Sequence, residues 1–158
     1  MMTLACKVIH ALGDRTAATA ESCTGGMIGA ALTAVPGASN VYKGGIISYW
    51  SEVKQRLLDV DADDLQRLGP VSMQVAGSMA EGARKALNAD IAISVTGLAG
   101  PDGDEFGRPV GTVFVGYANG RKTAAKHYRF EGNREEVRRQ AAQAALRLIL
   151  EEELCCAP

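Results

Sequence analysis

The stretch Asp90–Gly97, DIAISVTG, constrains this chain more than any other. It is almost continuously apolar and lacks the in–out alternation of a strand with one wet face. Such a strand is covered on both sides, as in a parallel sheet held between helices. The flanking segments supply the cover. Residues 3–12 set Leu4, Val8 and Leu12 on one helical face. Thr16–Ala20 reads as a short buried strand running into Glu21–Gly26, ESCTGG, after which Met27, Ile28, Ala31, Leu32 and Val35 recur at helical spacing until Pro36-Gly37. Gly44–Trp50 predicts a second strand and Ser51–Leu58 a helix with Lys54 in its first turn. The acidic run from Asp59 predicts a short helix closed by Gly69-Pro70.

From Ser72, the residues Val75, Met79, Ala83 and Leu87 mark an amphipathic helix, in which Ala76, Gly77, Ala80 and Gly82 permit close packing. A glycine-bearing loop over 98–109 precedes strands at 110–118 and 121–130, joined across Asn119-Gly120 as a two-residue hairpin turn. A last helix from about Asn133 carries Val137, Ala141, Ala144 and Leu148 as its buried stripe. No repeat, low-complexity tract or linker divides the chain. The pattern predicts one α/β domain over residues 1–158: three layers, a mixed and mostly parallel sheet, and helices on both faces. Its core spans about 3–150, and EEELCCAP at 151–158 is expected to be a frayed tail.

Charge and composition exclude several classes of function. Seventeen Lys and Arg against 18 Asp and Glu leave a net charge of −1, without the clustered basic excess that nucleic-acid binding needs. No apolar run approaches the roughly 18 residues of a membrane span. The first residues do not have the pattern of a signal peptide, so a cytoplasmic location is expected. Cys6, Cys23, Cys155 and Cys156 lack metal-site spacing and are expected as thiols, and two histidines, His10 and His127, are too few for a histidine-rich metal centre.

Motif absences are equally useful. GxGxxG, GxxxxGK[ST] and GxSxG do not occur, which removes the dinucleotide, P-loop and α/β-hydrolase signatures. What remains is ESCTGG at a strand-to-helix turn. Ser22 stands where a strand ends, and Thr24, Gly25 and Gly26 open a helix whose first amides lack internal partners and favour an oxyanion or phosphate. The plainer reading is that Ser22 or Thr24 caps the helix while the glycines allow tight packing. Cys23 is a rival nucleophile, although a small cysteine there is more commonly buried. A serine needs a base, and neither histidine has a motif around it. Lys54 could serve if a dry pocket lowered its pKa, forming the Ser–Lys variant of the triad, with Tyr49 relaying a proton or positioning substrate. Val95–Gly103 follows the most apolar strand and can form an anion nest, while Arg134 and Arg138 share a helix face able to meet a phosphate or carboxylate. On pattern alone, a plain loop and solvated side chains explain these residues too.

Taken in order, ESCTGG, GGIISYWSEVK, TGLAGPDG, PVGTVFVG and FEGNREEVRRQAAQAAL resemble the carboxy-terminal domain family of the competence/damage-inducible protein CinA. Standalone members are nicotinamide-nucleotide amidohydrolases. The resemblance implies hydrolysis of the carboxamide of nicotinamide mononucleotide to nicotinic acid mononucleotide and ammonia, in pyridine nucleotide salvage, with no metal and no cofactor. It implies Ser22 as nucleophile, Lys54 as base and Tyr49 as a third catalytic residue. Thr24, Gly25 and Gly26 are expected to contribute oxyanion-binding amides. Thr96, Gly97 and Gly100 are expected to contact the nucleotide, and Arg138 its phosphate. A homo-oligomer is implied, with neither nucleic acid nor membrane as partner. Two alternatives stand beside this: a non-catalytic nucleotide-binding or regulatory domain linked to competence or DNA damage, or an amidase for another amide. Trp50 and Pro70 depart from the small polar residue and alanine expected at those positions, and a Trp after Tyr49 keeps the substrate range open. The resemblance is to the carboxy-terminal domain only, so nothing is implied from the further amino-terminal domain of longer CinA proteins.

Overall fold

A computed structural model describes residues 1–154; Cys155 and Cys156 lie outside the described residues. The chain runs α1 (Met2–Leu12), β1 (Ala17–Glu21), α2 (Met27–Thr33), a 3-10 turn at Ala38–Asn40, β2 (Tyr42–Ile47), α3 (Ser51–Leu58), α4 (Ala62–Leu68), α5 (Met73–Ala86), β3 (Ile91–Gly97), β4 (Thr112–Ala118), β5 (Thr123–Arg129) and α6 (Arg134–Leu154). Helix starts follow local chemistry. The Asp61 carboxylate accepts the Asp63 and Asp64 amides to begin α4, and the Ser72 hydroxyl accepts the Val75 amide to begin α5.

The five strands form one sheet ordered β2-β1-β3-β4-β5. β1 pairs parallel with both β2 and β3, whereas β4 is antiparallel to β3 and to β5. Two reversals restore direction, so β1, β2, β3 and β5 point one way and β4 the other, as a mixed but mostly parallel sheet requires. Alternate residues of the strands feed two cores. Ile91, Ile93 and Val95 of β3 and Val113, Val115 and Tyr117 of β4 face α1, α2 and α6. Ala18, Ala20 and Ala92 face α5 and the end of α3. The run Ile91–Thr96 is buried throughout, because helices cover both faces. Close packing of α5 is literal: a Cβ on Gly82 would stand 2.0 Å from the Leu58 carbonyl oxygen.

Several boundaries differ from those read off the sequence. β2 ends at Ile47, so Tyr49 and Trp50 lie beyond it; Trp50 takes the position just before α3 and is 71% exposed. The hairpin turn is one residue later than Asn119-Gly120. The Asn119 amide donates to the Lys122 carbonyl, making Gly120-Arg121 the central pair, and the Asn119 side chain accepts the Arg121 and Lys122 amides. Residues 151–154 are not a frayed tail but the last turn of α6. The physical cause is pairing of its acidic residues. Glu151 meets Lys126, Glu152 meets Lys122, and the buried Glu153 meets Arg15 and accepts from the Tyr117 hydroxyl at 2.8 Å. No helix among the described residues is long and apolar enough to cross a membrane.

Candidate active site

In an open parallel sheet the carboxyl ends of the strands, where neighbouring connections leave to opposite faces, form a crevice. Here β1 leads to α2 on one face and β2 leads to α3 and α5 on the other. Ser22 is the first residue after β1, Ser48 the first after β2, and Thr96 and Gly97 close β3. Three segments far apart in sequence therefore meet at one edge.

Their centre is a buried pair. Lys54 Nζ lies 2.9 Å from Ser22 Oγ. It also donates to the carbonyl oxygens of Ser48 at 2.5 Å and Tyr49 at 3.5 Å. Lys54 is 1% exposed, and burial lowers its ammonium from 10.5 to about 8, with Cys23 pulling weakly the other way. A neutral amine has two N–H groups and one lone pair. As an ammonium Lys54 donates to all three oxygens; once neutral, with its two N–H groups left to the carbonyls, its lone pair is free for Ser22. Cys23 is the weaker nucleophile, since burial pushes its thiol up to about 11 despite the opposing pulls of a backbone hydrogen bond, Lys54 and Arg138.

Ser22, Cys23, Tyr49 and Lys54 line a cavity of about 210 Å³, walled by Pro70, Val71, Thr96, Gly97, Leu98, Ala99, Gly100, Asp102 and Arg134. The Thr96 hydroxyl donates to the Pro70 carbonyl at 2.7 Å, tying two walls together. Gly97 is required by close approach: a Cβ would stand 2.7 Å from Val113 Cγ2 and 3.2 Å from Cys23 Sγ. A roomier groove of about 710 Å³ along α5 contains no hydrogen-bonded nucleophile–base pair, so size does not locate the chemistry here.

Other expectations need correction. Gly25 and Gly26 are not free to bind an oxyanion. The Gly25 amide donates to the Ser22 carbonyl at 3.1 Å, and the Gly26 amide to the Glu21 carboxylate at 2.9 Å. Neither they nor Thr24 line the cavity; the Thr24 hydroxyl is buried, with no partner among the described residues. The amide directly after Ser22 is that of Cys23, and it supplies the backbone hydrogen bond that opposes the rise of its own thiol. Arg138 is turned inward: it donates to the Cys23 carbonyl at 2.9 Å and the Thr24 carbonyl at 3.2 Å, bracing the turn. Its helical neighbour Arg134 faces the cavity, donating to the Gly100 carbonyl at 2.5 Å and to the Tyr49 hydroxyl at 2.9 Å. The Tyr49 hydroxyl is thus engaged at the mouth, and only its carbonyl touches Lys54.

Sequence reading missed Glu21 and the choice between the two arginines. Glu21 carried a signal, an acidic residue ending an otherwise apolar strand beside a helix start. Arg134 and Arg138 occupy equivalent positions on one face, and the packing of α6 alone tells them apart. His10 and His127 stay outside the site: one bonds the Cys6 carbonyl, the other stacks on Phe114. Among the described residues, no three His, Cys, Asp or Glu side chains converge to hold a metal.

The family model "CinA C-terminal domain" matches residues 2–153. A CinA-like protein of Gemmatimonas aurantiaca is 48% identical over 136 residues, 86% of this chain and 32% of that protein. Another, from Sulfurihydrogenibium sp., is 44% identical over 135 residues, 85% and 34% respectively. The chain therefore spans about a third of the length of these curated relatives. A solved CinA superfamily protein from Klebsiella pneumoniae superposes with a TM-score of 0.94 at 34% identity, covering 97% of both chains.

Proposed function

This chain belongs to the CinA C-terminal domain family, and on that footing we propose that it hydrolyses the carboxamide of nicotinamide mononucleotide, releasing ammonia and nicotinic acid mononucleotide. The observation that carries the reading is the 2.9 Å contact between Lys54 Nζ and Ser22 Oγ, two buried side chains at the base of an open-mouthed cavity. A binding module needs no nucleophile beside a base whose charge is destabilised by burial.

Neutral Lys54 takes the Ser22 proton as Oγ attacks the amide carbon. The tetrahedral oxyanion accepts the Cys23 N–H, the amide directly after the nucleophile. Collapse expels ammonia, which carries the proton held by Lys54, and leaves an ester on Ser22. Water, deprotonated by the same amine, then cleaves that ester to release the acid and restore the serine. No metal or cofactor takes part.

Pockets that enclose a whole drug-sized ligand measure about 300–1,000 Å³, so a cavity of about 210 Å³ suits the ring that bears the carboxamide. Thr96, Gly97 and Gly100 form its wall, and ribose and phosphate remain at the mouth. Arg134, half of whose partners there are the Tyr49 hydroxyl, is the cation in place to meet the phosphate; Tyr49 frames the opening.

The test is ammonia release from the purified protein given nicotinamide mononucleotide, beside Ser22→Ala and Lys54→Ala. Turnover by the parent that both substitutions abolish, with folding retained, is the expected result. Saturable binding without turnover would replace this reading with that of a nucleotide-binding domain.

A further inference from the structure

We propose that Glu21 is a positioning residue for the nucleophile: its carboxylate occupies the start of α2 and thereby holds Ser22 against Lys54. The proposal rests on the Ser22–Lys54 reading above. A carboxylate at the end of an apolar strand, 2% exposed, needs partners to stand there. Glu21 has three, all backbone amides at the start of α2: Oε2 accepts from Gly26 at 2.9 Å and Ile28 at 3.1 Å, and Oε1 accepts from Gly29 at 2.9 Å. These are donors that a helix start otherwise leaves unmet.

Residues 22–25 bridge the backbone of Glu21 to the amides its own side chain grips, so the nucleophile turn is closed at both ends by one residue. Gly25 and Gly26 make that closure possible with φ of +59° and +101°. The Glu21 main chain anchors the base as well. Its carbonyl accepts the Ser48 amide at 2.8 Å, and the Ser48 carbonyl in turn holds Lys54 Nζ. Both halves of the pair are therefore referenced to Glu21. A further consequence is that Gly26, Ile28 and Gly29 are no longer available to a substrate phosphate, which must be met elsewhere.

The direct test is Glu21→Gln. Glutamine fills the same space and keeps one oxygen, but it sets an NH2 group against an amide donor. Two rates are read on the folded protein: steady-state turnover of nicotinamide mononucleotide, and phosphonylation of Ser22 by a fluorophosphonate probe, which needs no knowledge of the substrate. We expect kcat and the labelling rate to fall about tenfold with KM unchanged, and about 100-fold in Glu21→Ala, the scale of a displaced reacting group. A purely structural role would lower the unfolding temperature while leaving kcat per folded molecule intact. Labelling and kcat within twofold of the parent in folded Glu21→Gln would overturn the proposal, as would a parent in which Ser22 is not labelled. If the parent labels at Ser22 but does not turn over the nucleotide, slowed labelling in Glu21→Gln supports positioning and refutes only the substrate.

Discussion

Replacing Lys54 with methionine separates the proposed catalytic use of this side chain from its cost to the fold. Methionine matches its length and apolar stem and removes the charge. Burial holds the folded-state pKa at about 8, against 10.5 for the free side chain. The sign follows from proton counting. Below pH 8 both folded and unfolded chains carry the proton, and the native state bears the full penalty of about 3 kcal/mol, from the difference 10.5 − 8 at roughly 1.4 kcal/mol for each tenfold step. Between pH 8 and 10.5 the native lysine is neutral and the unfolded one still charged, so the parent gains stability as pH rises. Methionine has nothing to titrate.

Urea unfolding of parent and variant at pH 7 and pH 10 isolates this difference, since other groups are shared by both proteins. The parent should gain roughly 2–3 kcal/mol relative to Lys54→Met across that interval. The Ser48 carbonyl loses its donor in the variant, at a cost of about 1–3 kcal/mol, but this loss is present at both pH values and leaves the comparison standing. At pH 7 the relief of the charge offsets that loss, and an inactive protein about as stable as the parent is the expected outcome. Parallel pH dependence in the two proteins would refute the claim that burial disfavours the Lys54 charge.

In the proposed Ser–Lys mechanism the same protonation governs rate. With a pKa near 8, about a tenth of Lys54 is neutral at pH 7 and half at pH 8, so kcat/KM should climb about fivefold over that interval and level off above pH 9; a profile flat from pH 6 to 9 would argue against Lys54 as base. The two arginines should separate in steady-state kinetics. Arg134→Ala is expected to raise KM for the nucleotide at least tenfold with a smaller effect on kcat, since a charge-assisted contact at the mouth is lost. Arg138→Ala should lower kcat with little change in KM, because it frees the Cys23 and Thr24 carbonyls and loosens the nucleophile turn. The reverse pattern would return the phosphate to Arg138.

Much of this molecule is legible in the order of its residues. Period and punctuation are local properties, so the uninterrupted run at Ile91–Thr96, the stripes of α5 and α6 and the turn at Glu21–Gly26 could be read directly. So could the residue types a Ser–Lys site requires, together with their placement after strand ends and in the first turn of a helix. Boundaries that depend on partners were less accessible. Residues 151–154 read as a solvated acidic tail until Arg15, Lys122 and Lys126 arrive from other elements to neutralise them.

Within the site, the division has a single physical cause. Sequence determined that Ser22, Lys54 and the glycine turns exist and which backbone geometry each can adopt, because those follow from steric and periodic rules acting over a few residues. Tertiary structure alone decided that Lys54 is dry, that Glu21 rather than substrate fills the start of α2, and that Arg134 rather than Arg138 faces the cavity. Desolvation and hydrogen-bond competition depend on which groups the fold brings together, and Ser22, Lys54, Thr96 and Arg134 come from four separate elements of the chain.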